Sequence, residues 1–324
     1  MKPKLLMQWI VIAASLAGAL MPAHAAEPYP ARPIRMIVPY APGGNTDVLA
    51  RLIGRRLTQA VGQQVVIDNR PGGNTLIGSG LVAQAAPDGY TMMLTTLTFS
   101  VLPSIYKKLP FDARRDFTPI TLAVTLPNVL VVNPSVPARS LKELIAHAKS
   151  NPGKLNYAST GSGTSPHLSM ELLKTMAGID LVHIPYKGGG PALSALMGGQ
   201  VSAQFIGLPV ALRHIESGKL RALAVTSAKR AAAAPDIPAI AETLKGYEIN
   251  PWFGVLGPGG MPISVVRKLQ GEIARALQAA DLKAYLGKLG AEPVGNTPEQ
   301  FRSFIQDEIG KYAKIVKTAG IRVE

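Results

Sequence analysis

Short apolar segments alternate with helical patterns along almost the whole chain, and this alternation limits the folds that the sequence can adopt. The first unit has an apolar segment at 34–38, a Pro and Gly loop at 39–44, and helical spacing from Thr46. The residues that share the buried face of this helix are Leu49, Leu52, Ile53 and Leu57. Repeated units of this kind are typical of an α/β protein with largely parallel sheets.

The same alternation continues towards the C-terminus. Further strands are predicted at 65–68, 90–94, 155–158, 181–184, 201–206, 220–225 and 253–256, and two more apolar runs lie at 120–124 and 129–132. Further helices are predicted at 75–86, 141–150, 166–177, 263–280 and 282–289, and another starts near Pro191. A final helix begins after Thr297, because this cap residue is followed by Pro298 and by the acidic Glu299. We expect this last helix to act as a brace or a lid.

The character of the sequence changes between 110 and 125, where a charged, turn-rich segment leads into apolar runs. We interpret this change as a crossing between two domains, since a second series of strands and helices follows it. After Val225 the chain is expected to return to the first domain. The sequence therefore predicts domain I at 26–125 and 226–324 and domain II at 126–225, sizes that suit the prior of roughly 150 residues per domain.

The first 25 residues have the features of a signal peptide. Lys2 and Lys4 precede an uncharged apolar run at 9–22, and Ala23-His24-Ala25 supplies the small residues that signal peptidase recognises. The run is short for a membrane span, which needs roughly 20 residues. We predict cleavage after Ala25 and export to the periplasm, with an uncleaved anchor as the alternative.

Charge and cysteine content exclude several classes of function. The formal net charge of +14 falls to +12 without the leader, and Lys and Arg are scattered instead of forming a basic stripe with aromatic residues. This distribution argues against a nucleic-acid partner and favours a solvated, charged surface. The chain has no cysteine, so disulfides, thiol catalysis and cysteine metal sites are excluded.

Loops rich in Gly, Ser and Thr follow several predicted strands. Ligands of open α/β sheets bind at the carboxyl ends of strands, where helix N-termini with free N–H groups favour an anion. The loop at 39–44 lacks the ending of a P-loop and the spacing of a dinucleotide fingerprint, so a small anion is favoured over a nucleotide. The candidate ligand-binding residues are Tyr40, Ala41, Gly43, Gly44 and Asn45 in the first loop, Thr96 after a later strand, Thr160, Gly161, Ser162, Gly163, Thr164 and Ser165 in a second loop, and Tyr186 and Gly188 in a third.

The sequence offers few residues for catalysis. A serine hydrolase that uses Ser162 or Ser165 with His167 is the alternative hypothesis, because a hydroxyl nucleophile needs a nearby imidazole base. The spacing does not match Gly-x-Ser-x-Gly, and no obvious acid orients the histidine. His167 and His183 lack a third metal ligand and are interpreted as packed or surface residues, so no metal or cofactor is expected.

A series of motifs resembles one known family. The motifs are Tyr29-Pro30 with Pro33-Ile34, Val38 to Gly44, Asn69-Arg70-Pro71-Gly72-Gly73, Ala86 to Thr91, Gly161-Ser162-Gly163, Pro185 to Gly188, and Gly218 to Val225. They are similar to those of the Bug receptors, the extracytoplasmic solute-receptor component of tripartite tricarboxylate transporters. The resemblance covers essentially the whole chain after the leader.

The resemblance implies a type II periplasmic-binding-protein fold, in which two α/β domains joined by crossing strands close on a ligand. It implies a receptor and not an enzyme, one that captures a small mono-, di- or tricarboxylate for uptake or sensing. In this family the carboxylate is held by backbone N–H groups, small polar side chains and waters. The implied partners are the membrane subunits of the transporter or a membrane sensor kinase, and the receptor is expected to be a monomer.

The sequence departs from the family pattern at several positions. Ser202 and Gly207 stand where acids are common, so an amino-acid ligand is disfavoured, and Gly207 is counted among the expected ligand contacts. Leu102 stands where an asparagine is common and favours a ligand with an apolar body. Two roles stay open: Lys187 could meet the anion or line the rim, and Trp252 could roof the cleft or belong to the core.

Overall fold

The computed structural model describes residues 29–43, 45–186 and 188–321, without the side chain of Asn45, and from Arg32 onward these residues belong to one compact unit. The strands are β1 (Ile34–Val38), β2 (Val65–Asn69), β3 (Thr91–Thr96), β4 (Phe117–Thr125), β5 (Asn128–Val132), β6 (Asn156–Ser159), β7 (Val182–Pro185), β8 (Ala203–Gly207), β9 (Arg221–Val225), β10 (Trp252–Pro258) and β11 (Glu292–Pro293). The helices are α1 (Asn45–Val61), α2 (Leu76–Ala83), α3 (Thr98–Ile105), α4 (Leu141–Ser150), α5 (Ser165–Ala177), α6 (Gly189–Met197), α7 (Leu208–Glu216), α8 (Ile263–Gln278), α9 (Ala280–Lys288) and α10 (Pro298–Thr318).

The strands form two sheets, which confirms the predicted α/β class. One sheet has the order β11-β4-β10-β3-β1-β2, and the other has the order β7-β6-β8-β5-β9. The strands within 126–225 all lie in the second sheet, and the remaining strands lie in the first. Helices pack on both sheets, and the largest apolar residues fill clusters between helices and strands. This arrangement is compatible with the predicted domain boundaries.

The expectation of largely parallel sheets was wrong, because both sheets are mixed. β1 is parallel to β2 and β3, and β6 is parallel to β7 and β8. By contrast, β10 is antiparallel to β3 and β4, while β5 is antiparallel to β8 and β9. The reason lies in the connections: β4 and β9 bring the chain to the junction of the sheets, whereas β5 and β10 carry it away. The neighbours β4 and β10 must therefore run in opposite directions, and so must the neighbours β5 and β9.

The C-terminal helix is a brace against the first sheet. The Thr297 hydroxyl accepts a hydrogen bond from Gln300 N, and the Gln300 side chain accepts one from Thr297 N, which confirms the predicted start. α10 packs on α3, α5, α8 and β4. Trp252 is fully buried, packs edge-on against Phe301 and donates from Nε1 to Glu308 Oε2 at 3.1 Å. Trp252 therefore belongs to the core and does not roof a cleft.

Two helices that follow strands directly were missing from the sequence prediction. α3 is only eight residues long and contains Pro103, which normally marks the end of a helix. α7 starts at Leu208, immediately after β8 ends at Gly207, with no turn residues between the two elements. Both helices contribute N-termini to the region of the candidate site.

Several predictions fall outside the described residues. These are the signal peptide and its cleavage after Ala25, Gly44 as a ligand contact, and both roles considered for Lys187. No helix in the described ranges has the length and apolar character that a membrane crossing requires.

Candidate functional site

The candidate loops lie at the carboxyl ends of strands in both sheets. α1, α3, α5, α6 and α7 follow β1, β3, β6, β7 and β8, and each begins within a short distance of its strand. β1 and β3 are parallel, as are β6, β7 and β8, so each group of helices starts at one edge of its sheet. Their first turns carry backbone N–H groups without helical partners and the positive ends of helix dipoles.

The strand register places these two edges beside the crossing between the sheets. Thr96, at the end of β3, pairs with Phe253 in β10. β4 ends at Thr125, and after a link of two residues Asn128 pairs with Gly207 at the end of β8. The carboxyl ends of the parallel strands therefore converge on one region, as expected for a ligand site of an open α/β sheet.

In the first sheet, the structure joins two of the predicted residues. The Tyr40 hydroxyl lies 2.6 Å from Thr96 Oγ1, and Asn69 Nδ2 donates to the Tyr40 carbonyl at 3.1 Å. Burial raises the pKa of the Tyr40 hydroxyl, so this group stays neutral. Tyr40 and Thr96 therefore form one polar wall built from two loops, and the exposed Ala41 lies beside it.

The backbone of Gly43 has a partner that the sequence analysis missed. Gly43 N donates to Asp47 Oδ2 at 2.9 Å, and Arg51 pairs with the same carboxylate. The hydrogen bond from Arg51 lowers the pKa of the buried Asp47, which stays ionised. The expectation that Gly43 offers a free N–H to the ligand is therefore wrong for this structure: the glycine instead fastens the loop, with φ at +84°.

In the second loop, internal hydrogen bonds use several groups that were expected to meet the ligand. Gly161 N donates to Ser159 Oγ at 3.1 Å, and Thr164 Oγ1 donates to the Gly161 carbonyl at 2.6 Å. Gly163 N donates to His167 Nδ1 at 3.0 Å. In contrast, the hydroxyls of Thr160 and Ser162 have no hydrogen-bond partner within the described residues.

Below this loop lies a stacked pair of histidines. The rings of His167 and His183 are 4.1 Å apart between centroids and 9° from parallel, and Tyr157 stacks on His183 at 4.9 Å. His183 Nε2 lies 2.6 Å from Ser159 Oγ. The two rings therefore hold both ends of the loop, one through Ser159 and the other through Gly163.

The surroundings keep both histidines neutral. Burial, followed by the neighbouring His183 and Lys174, lowers the pKa of His167 to about 3. Burial likewise lowers the pKa of His183. Glu171 accepts from the Tyr157 hydroxyl at 2.6 Å and from Lys174 Nζ at 2.9 Å. A neutral His167 can accept the Gly163 hydrogen bond at Nδ1 without a bound proton there.

The geometry does not support a serine hydrolase. Ser165 Oγ accepts from Asn128 Nδ2 at 2.5 Å, and Nδ1 of His167 is occupied by Gly163 N. Neither Ser162 nor Ser165 is hydrogen-bonded to His167 in the described ranges. The Ser159 hydroxyl does contact His183, but Ser159 is fully buried and cannot reach a substrate. Both histidines act as packed, positioning groups, as the sequence analysis expected of them.

The second loop also approaches a helix of the first sheet. A Cβ built at Gly163 would lie 3.2 Å from Cδ1 of Ile105 and 3.9 Å from Cγ1 of Val101, both on α3. Gly163 has φ at +74°, a value that favours glycine. This contact places the loop at 159–165 opposite the elements that follow β3.

The remaining predicted contacts have mixed outcomes. Tyr186 N donates to the Ser159 carbonyl at 3.0 Å, and Gly188, with φ at +110°, precedes α6. Leu102 is fully buried in the core, so the inference that it shapes the ligand was wrong. Ser202 lies before β8, at the opposite end from Gly207, and its hydroxyl bonds to Asn156. Ser202 is therefore remote from the candidate site.

Metal binding has no support in the described part of the chain. Groups of three or more His, Asp or Glu residues that could hold a metal ion are absent from these residues. The two stacked histidines instead use one ring nitrogen each for Gly163 and Ser159.

Comparison with known sequences gives one family. Residues 49–321 match the model of the tripartite tricarboxylate transporter family receptor. Protein BugT of Bordetella pertussis is 40% identical over 313 residues, which span 95% of this chain and 95% of BugT.

Similar solved structures share the fold. The structure of R. palustris Rpa4515 with adipate is 38% identical with a TM-score of 0.81, covering 91% of this chain and 100% of that one. Periplasmic binding protein BugD is 35% identical with a TM-score of 0.78, covering 91% and 100%. MatC (Rpa3494) from Rhodopseudomonas palustris with bound malate is 32% identical with a TM-score of 0.77, covering 89% and 100%. Since both the family model and BugT extend over most of the sequence, this protein belongs to the tripartite tricarboxylate transporter receptor family and is one of its Bug receptors.

Proposed function

We propose that this receptor captures a small carboxylate between the loops that follow β1 and β3 and the loops that follow β6, β7 and β8. The observation that carries the proposal is the convergence of five helix N-termini on the crossing between the two sheets. Such N-termini supply N–H donors and positive potential without a formal charge. The adipate and malate in the two similar structures are both dicarboxylates, which supports this ligand class.

The described side chains at these loops favour neutral hydrogen bonding. Tyr40 and Thr96 form one wall, while the hydroxyls of Thr160 and Ser162 are available on the other. Arg51 and Gly43 N compensate the Asp47 carboxylate behind the first loop, so this acid does not face the ligand as an unpaired charge. Water-mediated contacts would complete the binding, as in other polar sites.

The biological setting is part of the proposal. Family membership and the periplasmic binding protein BugD support a receptor exported to the periplasm. Cleavage of the leader after Ala25 rests on the small residues Ala23 and Ala25. The receptor acts as a monomer without cofactor, with domain I at 26–125 and 226–324 and domain II at 126–225. It delivers its ligand to the membrane subunits of a tripartite transporter or to a membrane sensor kinase, and not to nucleic acid.

The binding test uses the mature protein and a panel of mono-, di- and tricarboxylates. Thermal shift should give saturable stabilisation by at least one acid, of about 2.7 kcal/mol at a hundredfold excess over Kd. Thr160→Val should weaken that acid about tenfold, because it removes a hydrogen bond to a charged group. Thr243→Val is the matched control, since Thr243 is also half-buried and lies outside the loops. Flat melting curves across the panel would contradict the proposal.

A further inference from the structure

An apolar cavity lies beside the crossing strands, next to the first turns of α1 and α7. Its volume is about 220 Å³, and its walls come from α1, α7 and α9 with parts of β4 and β10. We call it the lateral cavity and define it by Val48, Leu52, Val210, Arg213, Tyr285 and Leu289. None of the residues predicted to bind the carboxylate lines it. The lateral cavity therefore has its own set of lining residues, although Val48 and Pro209 lie within one helical turn of Asn45 and Gly207.

Three of the apolar side chains that line the lateral cavity are exposed to solvent. Val48, Val210 and Tyr285 are 38%, 39% and 39% exposed, and they come from three different helices. Single exposed apolar residues need no explanation, but a cluster around a concavity is typical of a binding site. The default interpretation of a well-formed apolar pocket with few polar groups is likewise a ligand site.

A single cationic side chain gives the lateral cavity its charge preference. The guanidinium of Arg213, on α7, has no hydrogen bond or ion pair with any residue that the structure describes. His214 follows it along the wall, and no acidic residue is among the described lining residues. By contrast, Arg56 on α1 is paired with Asp281. An unpaired Arg beside an apolar wall suits a carboxylate that carries an apolar body.

The walls of the lateral cavity are held in place by contacts outside it. The Arg56–Asp281 ion pair joins α1 to α9. After α9, the backbone at Gly290 approaches α7 so closely that a Cβ there would lie 2.8 Å from Leu208 Cδ2. The segment of α9 and Gly290 is thus linked both to α1 and to α7. The concavity is a built feature of the fold and not a gap between independent helices.

We propose that the lateral cavity binds a second small molecule, a monocarboxylate with a compact apolar body. Its volume is below the roughly 300–1,000 Å³ of sites for drug-sized ligands, so a single ring or a short chain fits, such as benzoate or hexanoate. The apolar body contacts Val48, Leu52 and Val210, and the carboxylate pairs with Arg213. The residues of this site differ from those of the proposed loop site, so variants can test the two sites separately.

The test measures binding of benzoate and hexanoate to the mature protein by calorimetry, with benzamide and hexanamide as neutral analogues. We expect saturable binding of at least one acid and at least tenfold weaker binding of its amide. Arg213→Gln should weaken the acid about tenfold, while Arg55→Gln should not. Arg55 is a matched control, because it is exposed and also unpaired within the described residues but lies outside the cavity.

Two further variants decide where the acid binds. Leu52→Trp should fill the lateral cavity and abolish binding, with circular dichroism to verify the fold. Thr160→Val, in the loop site, should leave benzoate and hexanoate affinity unchanged. The proposal is overturned if folded protein binds neither acid, if Arg213→Gln binds as tightly as the parent, or if Thr160→Val removes the binding. These outcomes test the lateral cavity even if the loop site binds no carboxylate.

Discussion

At the scale of single residues, the polar atoms of the second loop are divided between structure and ligand. The His183 ring is hydrogen-bonded to the Ser159 hydroxyl, and the His167 ring accepts a hydrogen bond from Gly163 N. The Asn128 side chain donates to the Ser165 hydroxyl. The hydroxyls of Thr160 and Ser162 are left without partners within the described residues. The buried histidines thereby position the loop and leave the outward hydroxyls to the ligand.

The stability of this arrangement should depend on pH through His167. Its pKa is about 3 in the folded protein and about 6.5 in the unfolded chain, so the unfolded state binds more protons between these values. The contribution of the neutral ring is complete above pH 6.5 and is lost as the pH falls towards 3. We expect a loss of about 3 kcal/mol of unfolding free energy between pH 6.5 and pH 4.

The measurement is urea denaturation across this pH range for the parent and His167→Asn. The Asn side chain can still accept from Gly163 N but does not titrate, so its profile should be flatter. Some slope should remain, because burial also lowers the pKa of His183, which faces Lys174 and Glu171. His147→Asn, on α4 and outside the cluster, serves as the control. Identical slopes for His167→Asn and the parent would contradict this role.

At the scale of elements, the first loop depends on how closely α2 packs behind it. A Cβ built at Gly78 would lie 2.7 Å from Pro39 Cβ and 3.0 Å from the Arg70 carbonyl oxygen. Pro39 directly precedes Tyr40, so the helix supports the residue that begins the candidate wall. On the same helix, a Cβ at Gly80 would meet nothing within 4 Å.

These two glycines of α2 should therefore respond in opposite ways to the same substitution. Gly78→Ala should destabilise the protein by about 1–3 kcal/mol and weaken carboxylate binding, because Pro39 and the loop must move. Gly80→Ala should stabilise it by about 0.5–1 kcal/mol, since alanine favours a helix and has open space there. Chemical denaturation and calorimetry of both variants measure the two effects. Equal stability of the two variants would show that the close packing at Gly78 is not important.

At the scale of the whole molecule, the chain passes between the sheets through two connections. One is the short link between β4 and β5, and the other is the longer segment between β9 and β10. The two are hydrogen-bonded to each other, since Leu126 N donates to the Pro251 carbonyl at 2.9 Å. Because two chain segments connect the sheets, one sheet can move against the other about a hinge at these segments.

A ligand held by loops of both sheets should make the particle more compact. On the proposed function, small-angle scattering should show a smaller radius of gyration when the carboxylate from the binding panel is saturating. Thr160→Val at the same ligand concentration should show a smaller change, because less of it is bound. A radius that does not change with confirmed saturation would contradict closure, although not binding itself.

The sequence by itself determined most elements of this fold and its family. Apolar periodicity depends on neighbouring residues, so β1 and β2 were predicted within a residue or two, and the cap at Thr297 marked the start of α10. Motifs spread over the chain indicated the receptor family, which the comparisons confirmed. Strand direction was not available from such local patterns, because it depends on where the chain crosses between sheets.

Only the tertiary structure decided which polar groups remain free for a ligand. Nothing local to Gly43 predicts its bond to Asp47, and nothing local to Ser159 predicts its contact with His183. The lateral cavity is even harder to predict from the sequence, since Val48, Val210 and Leu289 come from helices far apart along the chain. Each of these features depends on a distance between residues that only packing brings together. A sequence pattern can place a residue on an element, but hydrogen-bond partners and cavities depend on how the elements meet.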